Sequence, residues 1–253
     1  MTTPARAQVA AWLAGEASAT LAADESVRAQ IEQARGEGVS ALLCERWRSA
    51  VGADDDRVAP LSAEIARQVA SELVRADAEQ RVLSALADAS LDVLVLKGAA
   101  LARWLYARAY WRPRGDLDLL FASEAASMEA EAVLADLGYR WDGVLANGVC
   151  IERTLVGSQR GVTHHIDLHW RLTPHPAYAD RFAFDTLWRE RQPLPGLRGG
   201  FGLGGVHALV HAALHRVANR WLGEEDRVVW LYDIHLLAAR LRPEDEAVLL
   251  DCA

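Results

Sequence analysis

Two short stretches decide the fold: Val93-Leu94-Val95-Leu96-Lys97-Gly98, and Arg112-Pro113-Arg114-Gly115-Asp116-Leu117-Asp118-Leu119-Leu120-Phe121. The first is a continuous apolar run that ends at Lys97-Gly98, the pattern of a buried strand. The second alternates acidic and apolar residues, and a strand places Asp116 and Asp118 on one face with Leu117 and Leu119 on the other. Between them, Ala99 to Tyr106 reads as a helix. After them, a helix is predicted from Ser123 to Leu137, with Ser123 as its N-cap. Cys150 to Val156 and Val162 to Trp170 are expected to be two further strands, joined by a five-residue hairpin loop, Gly157-Ser158-Gln159-Arg160-Gly161.

Outward from this centre the pattern is helical. Residues 1–90 are rich in Ala, Leu, Glu and Arg and carry apolar residues at helical spacing. The longest helix is predicted from Pro60 to about Ala89, with Leu61, Ile65, Val69, Leu73, Ala76, Leu83 and Leu86 as its packing stripe. Pro174 to Gly205 collects prolines and glycines and reads as a connection with one short helix near Tyr178 to Arg189. Two last helices are expected near Val206 to Arg220 and Arg227 to Arg240. The expectation is an α+β protein: an N-terminal helical region (1–90), a small mixed-sheet α/β core (91–172), and a connecting region with C-terminal helices (173–253).

The chain has 253 residues, 51% of them hydrophobic and 25% charged, with a formal net charge of −8. That composition belongs to a globular protein and excludes collagen-like, coiled-coil and disordered classes. A net negative charge argues against a broad nucleic-acid surface, which rests on cation contacts to phosphate. Three cysteines in no metal-binding spacing point to a reduced compartment, and no apolar run approaches the roughly 20 residues of a membrane span. A cytoplasmic location is therefore expected. Of the 27 basic residues, 26 are Arg and one, Lys97, is Lys. A bias over the whole chain reflects coding composition, whereas the lone exception marks a place where a compact ammonium has a purpose.

The chemistry gathers at the same centre. In His165-Ile166-Asp167-Leu168-His169, Asp167 shares a strand face with His165 and His169 and joins Asp116 and Asp118 if the two strands are neighbours. Three carboxylates on adjacent strands make an all-oxygen site suited to Mg²⁺ or Mn²⁺. Residues 97–118 hold five cations, Lys97, Arg103, Arg108, Arg112 and Arg114, against two acids. Gly98 opens a helix whose free amides favour an anion. Strand, Lys-Gly and helix, facing an acidic strand across an Arg-rich turn, suggest a triphosphate and metal site. His207, His211 and His215 share a helix face, which could hold a transition metal but reads first as packing, while His211 or His215 with Asp233 could line a nucleotide or acceptor cleft. Trp111 and Trp170 flank the acidic strands and offer stacking surfaces.

Leu96-Lys97-Gly98-Ala99-Ala100-Leu101, Tyr106, and Arg112 to Leu120 together resemble the uncharacterised nucleotidyltransferase family of the DNA polymerase beta-type superfamily. Further matching pieces are Leu137-Gly138-Tyr139, Ile166-Asp167-Leu168-His169-Trp170, the His-rich stretch 207–215, and Trp230-Leu231-Tyr232-Asp233. The resemblance spans roughly residues 80–240. It implies an EC 2.7.7-like transferase that moves a nucleotidyl group from an NTP, such as ATP, to an acceptor hydroxyl or phosphate, releasing pyrophosphate. Asp116 and Asp118 would bridge two metal ions, while Asp167 would hold the catalytic ion and help deprotonate the acceptor. Lys97, Gly98, Arg112, Arg114 and His169 are the expected nucleotide- and phosphate-binding residues. Gly98-Ala99 stands where the superfamily carries Gly-Ser. The rival readings are a degenerate nucleotide- or partner-binding module, and a phosphotransferase that tailors a peptide or small molecule.

Overall fold

The computed structural model describes residues 4–16, 24–143, 151–173, 178 and 181–252. Four helices come first: α1 (Pro4–Ala14), α2 (Asp24–Gly36), α3 (Ser40–Val51) and the long α4 (Ala59–Asp88), which begins with Pro60 in its first turn. The central region runs β1 (Leu94–Val95), α5 (Lys97–Trp104), β2 (Asp116–Leu120), α6 (Glu124–Asp136), β3 (Arg140–Trp141), β4 (Glu152–Gln159) and β5 (Val162–His169). Then follow α7 (Phe184–Arg189), β6 (Gln192–Pro193), β7 (Phe201–Gly202), α8 (Gly205–Trp221), α9 (Val228–Ala238) and α10 (Asp245–Cys252). Ser123 caps α6 as expected, its hydroxyl accepting from the Ala126 amide. Among the described residues no helix is long and apolar enough to cross a membrane.

The fold is α+β around a mixed seven-stranded sheet in the order β3-β4-β5-β2-β1-β7-β6. β2 pairs in parallel with β5 and antiparallel with β1, so the acidic strand lies in the middle of the sheet. One face carries Leu117, Leu119, Leu155, Ile166 and Leu168, which pack with Val82, Leu83 and Leu86 of α4 and Ala130 and Leu134 of α6. Leu94, Leu96 and Leu120 point to the other side and join a second core with the N-terminal helices, α8 and α9. The remainder of that second face is polar, and it is where the acidic residues stand.

Four local expectations change. The hairpin between β4 and β5 turns on two residues, Arg160 (φ +51°) and Gly161 (φ +76°), because Gly157, Ser158 and Gln159 stay paired with His164, Thr163 and Val162. Two consecutive residues with positive φ match the tight turn whose twist suits a β-ribbon. The connecting region supplies β6 and β7, and β7 extends the sheet beside β1, with Gly202 opposite Val95. Strands of two residues that contain Pro and Gly carry no legible periodicity. Helix α7 is shorter than expected, and α10 follows α9 where no helix was read. Cys150, the expected start of β4, lies outside the described residues.

Gly157 sits inside a strand because the ring of Tyr139 covers it: a Cβ built there meets the ring at 2.5 Å. Gly157→Ala is expected to destabilise the protein by about 1–3 kcal/mol through overpacking. Urea denaturation would show this as a lowered midpoint with an unchanged slope.

Candidate active site

The parallel register of β2 and β5 sets Asp118 directly opposite Asp167, and Asp116 opposite His165. Asp118 is only 1% exposed. A carboxylate buried at the centre of a sheet requires partners that offset its charge, and two arrive. Lys97 Nζ donates to Asp118 Oδ1 at 2.6 Å, and His169 Nε2 lies 2.9 Å from the same oxygen. Burial opposes the charge of Asp118, yet Lys97 and His169 hold its carboxyl well below the usual carboxylate range. Lys97 is correspondingly raised: its burial is outweighed by Asp118. His169 is raised as well, because bonds to Asp118 and to Glu152, whose Oε2 is 2.8 Å from Nδ1, outweigh burial and Lys97.

Asp167 is half-buried and accepts the Thr154 hydroxyl at 2.7 Å. Burial and the charge of Asp118 push its carboxyl upward. Asp116 stands at the exposed start of β2. Asp118, Asp167 and His169 each offer a ligand atom within 4.8 Å of one another. Asp118 Oδ2 is buried and has no hydrogen-bond partner among the described residues. An unsatisfied carboxylate oxygen next to a second carboxylate is what a divalent cation would complete, so the donor set fits one.

The expected phosphate-binding residues separate in space. Lys97 and Gly98 open α5 beside Asp118, and Lys97 holds a left-handed backbone (φ +47°) that orients its side chain toward β2. Arg112 is buried on the other side of Gly98, where Nε and Nη2 each reach Asp233 Oδ2 at 2.9 Å while Tyr106 donates to Asp233 Oδ1 at 2.6 Å. Arg114 points to α4 and pairs with Glu72 and Glu79, both at 2.6 Å. Arg103 joins Glu79 there at 2.6 Å. The structure thus brings together Asp118, Asp167, Lys97 and His169, with Asp116 at the edge, and commits Arg112 and Arg114 to carboxylates from distant helices. A Cβ on Gly98 would lie 3.2 Å from Arg112 and 3.3 Å from Arg114, so these two arginines wall the α5 turn.

Glu152 and Thr154 escaped the sequence reading. They occupy one period-two face of β4, opposite His169 and Asp167, and only the pairing of β4 with β5 makes that face part of the site. Glu72 and Glu79, two helical turns apart on α4, were equally silent.

Helices α8 and α9 close the β1 side. Val95, Lys97, Arg112, His211, His215 and Asp233 are among the residues around a small cavity there. A family model described as uncharacterised nucleotidyltransferase matches residues 24–252. The chain belongs to that family. No curated protein matches it. Among solved structures it is similar to the antibiotic-resistance factor ANT(2'')-Ia, studied in solution for substrate-regulated conformation dynamics. The two are 16% identical with a TM-score of 0.45, over 71% of this chain and 89% of that one.

His215 provides a test of the closure by α8. Burial, aided by Lys97, lowers its pKa from 6.5 to about 4. The unfolded chain therefore binds a proton near pH 6.5 that the folded chain refuses until about pH 4. Stability from this residue is full above pH 6.5 and declines as the pH falls toward 4. In His215→Gln that decline is expected to be shallower than in wild type, measured as urea midpoints across the same pH range.

Proposed function

We propose that the protein is a metal-dependent nucleotidyltransferase that moves a nucleotidyl group from an NTP to an acceptor hydroxyl or phosphate with release of pyrophosphate. The observation that carries this reading is the adjacency of Asp118 and Asp167 on neighbouring central strands, with a buried Asp118 oxygen left unbonded. Asp116, Asp118 and Asp167 would hold Mg²⁺ or Mn²⁺, which supplies charge stabilisation to the attacking and leaving oxygens of an in-line displacement. Lys97 spends one of its three donor protons on Asp118 and offers the others to phosphate oxygens. The Gly98 backbone admits close approach of phosphate to the α5 amides, and Arg112 and Arg114 hold that turn rigid. His169 orients Asp118.

The sheet order gives the site two sides. Lys97 and Gly98 lie toward β1, which supports a triphosphate bound on that side. Asp167 and Thr154 lie toward β5 and β4, which supports an acceptor bound on the other. Asp167, with its upward-shifted carboxyl held by Thr154, is placed to take the acceptor proton. A binding module without turnover is the second reading. The Lys97–Asp118 pair favours it, since an ammonium already neutralises the carboxylate that would meet a metal ion.

Pyrophosphate release from each NTP with and without Mg²⁺ separates the two: nucleotide binding without release supports the module. For the transferase, Asp118→Asn and Asp167→Asn are each expected to lower turnover by about 100-fold or more. Unchanged turnover in Asp118→Asn would sink the reading. Lys97→Arg is expected to lower kcat with little change in Tm, because a planar guanidinium cannot replace a compact ammonium between Asp118 and phosphate.

A further inference from the structure

Lys97 is held in a backbone conformation that a lysine rarely adopts, with φ at +47°. Such a residue persists only where its surroundings leave it no alternative. On one side the constraint is plain: the Leu96 amide donates to the Asp118 carbonyl at 2.9 Å, which ties the preceding residue to β2. On the other side Gly98 lies against two arginines, and they differ in kind. Arg114 meets it with Cβ, an atom whose place follows the backbone whatever Glu72 and Glu79 do at the far end of that side chain. Arg112 meets it with the guanidinium: a Cβ built on Gly98 lies 3.2 Å from Nη1 and 3.5 Å from Cζ. The place of a guanidinium depends on what holds it.

Asp233 holds it. Nε and Nη2 of Arg112 each lie 2.9 Å from Asp233 Oδ2, the Tyr106 hydroxyl donates to Oδ1 at 2.6 Å, and Arg112 Nη1 donates to the Pro113 carbonyl at 2.7 Å. Asp233, Tyr106 and Arg112 are all buried. A buried ion pair is weak evidence for stability, since apolar residues of equal volume serve a core as well. This pair joins residues 121 apart in the chain and sets a guanidinium against the glycine that follows a strained lysine. We infer that Asp233 of α9 is a positioning residue for Lys97: through the Arg112 guanidinium it fixes the Gly98 turn in the shape that aims the ammonium at Asp118. The contacts of Asp233 go to Arg112 and Tyr106, so its hold on Lys97 passes through the guanidinium. What Lys97 then does for phosphate rests on the nucleotidyltransferase reading, whereas the positioning itself is tested without it.

Lys97 is the one lysine of the chain, so untagged protein labelled with ¹³Cε-lysine gives a single lysine NMR signal. Its position is recorded in folded wild type and in the urea-unfolded chain. In Asp233→Asn, which keeps the size of the side chain but removes the charge that holds Arg112, the signal is expected to leave the wild-type position toward that of the unfolded chain. Glu72→Gln, which weakens the hold on Arg114 instead, is expected to leave the signal in place, and thermal melts check that each variant folds. An unmoved signal in folded Asp233→Asn overturns the inference, and so does an equal move in Glu72→Gln. If Asp233→Asn does not fold, Tyr106→Phe decides: it takes one donor from Asp233, a smaller move in the same direction is expected, and no move overturns the inference. Pyrophosphate release gives a second readout. Asp233→Asn is expected to lower kcat by about tenfold to 100-fold, and to cost little more in a chain that already carries Lys97→Arg, because changes acting through one residue do not add. Losses that multiply in the double variant overturn the inference. If wild type releases pyrophosphate from no NTP, the transferase reading falls and the lysine signal alone decides whether Asp233 positions Lys97.

Discussion

The arrangement depends on one requirement: a carboxylate at the centre of a sheet, 1% exposed, must be kept ionised. Asp118 meets it through Lys97, which approaches from the turn between β1 and α5, and His169, which approaches from β5. Those two contacts fix the distance between three consecutive strands of the sheet at the level of the acidic residues. They also leave Asp118 Oδ2 without a hydrogen-bond partner among the described residues. The stability of the charge and the availability of the second oxygen are thus consequences of the same geometry. A positive φ at Lys97 is the local cost of aiming its side chain there.

Around this pair three arginines serve structure. The local excess of positive charge between residues 97 and 118 is taken up by carboxylates remote in sequence: Glu72 and Glu79 on α4 for Arg103 and Arg114, and Asp233 on α9 for Arg112. Bidentate guanidinium pairs of this kind are geometrically specific. They tie the long N-terminal helix and the C-terminal helices to the turn that opens α5. Lys97 keeps donor protons after Asp118 is satisfied.

Much of this was legible beforehand. Alternation in Asp116-Leu117-Asp118-Leu119 and in His165-Ile166-Asp167-Leu168 told both the strand faces and the acidic grouping, because a strand's period of two is independent of what it packs against. The long helix α4 was legible from its apolar stripe and Pro60. Short strands β6 and β7 were not, since two residues cannot display a period. The destinations of Arg112 and Arg114 were not legible either. A cation near an acidic strand has a choice of partners, and only the positions of α4 and α9 decide it. Glu152 and Thr154 became visible once β4 was paired, for a face has no meaning until its neighbour is known.

By itself, the sequence determined which residues can bear charge on one face of a strand, where helices start, and that a single lysine stands at the end of the first core strand. These follow from covalent geometry and local periodicity. Tertiary structure alone decided that β2 and β5 lie parallel in the register that sets Asp118 against Asp167, and that Arg103, Arg112 and Arg114 are bound to distant carboxylates. The physical reason is that burial and pairing are properties of neighbours in space. A side chain's solvation, charge and unmet hydrogen-bonding capacity are set when elements far apart in the chain close around it.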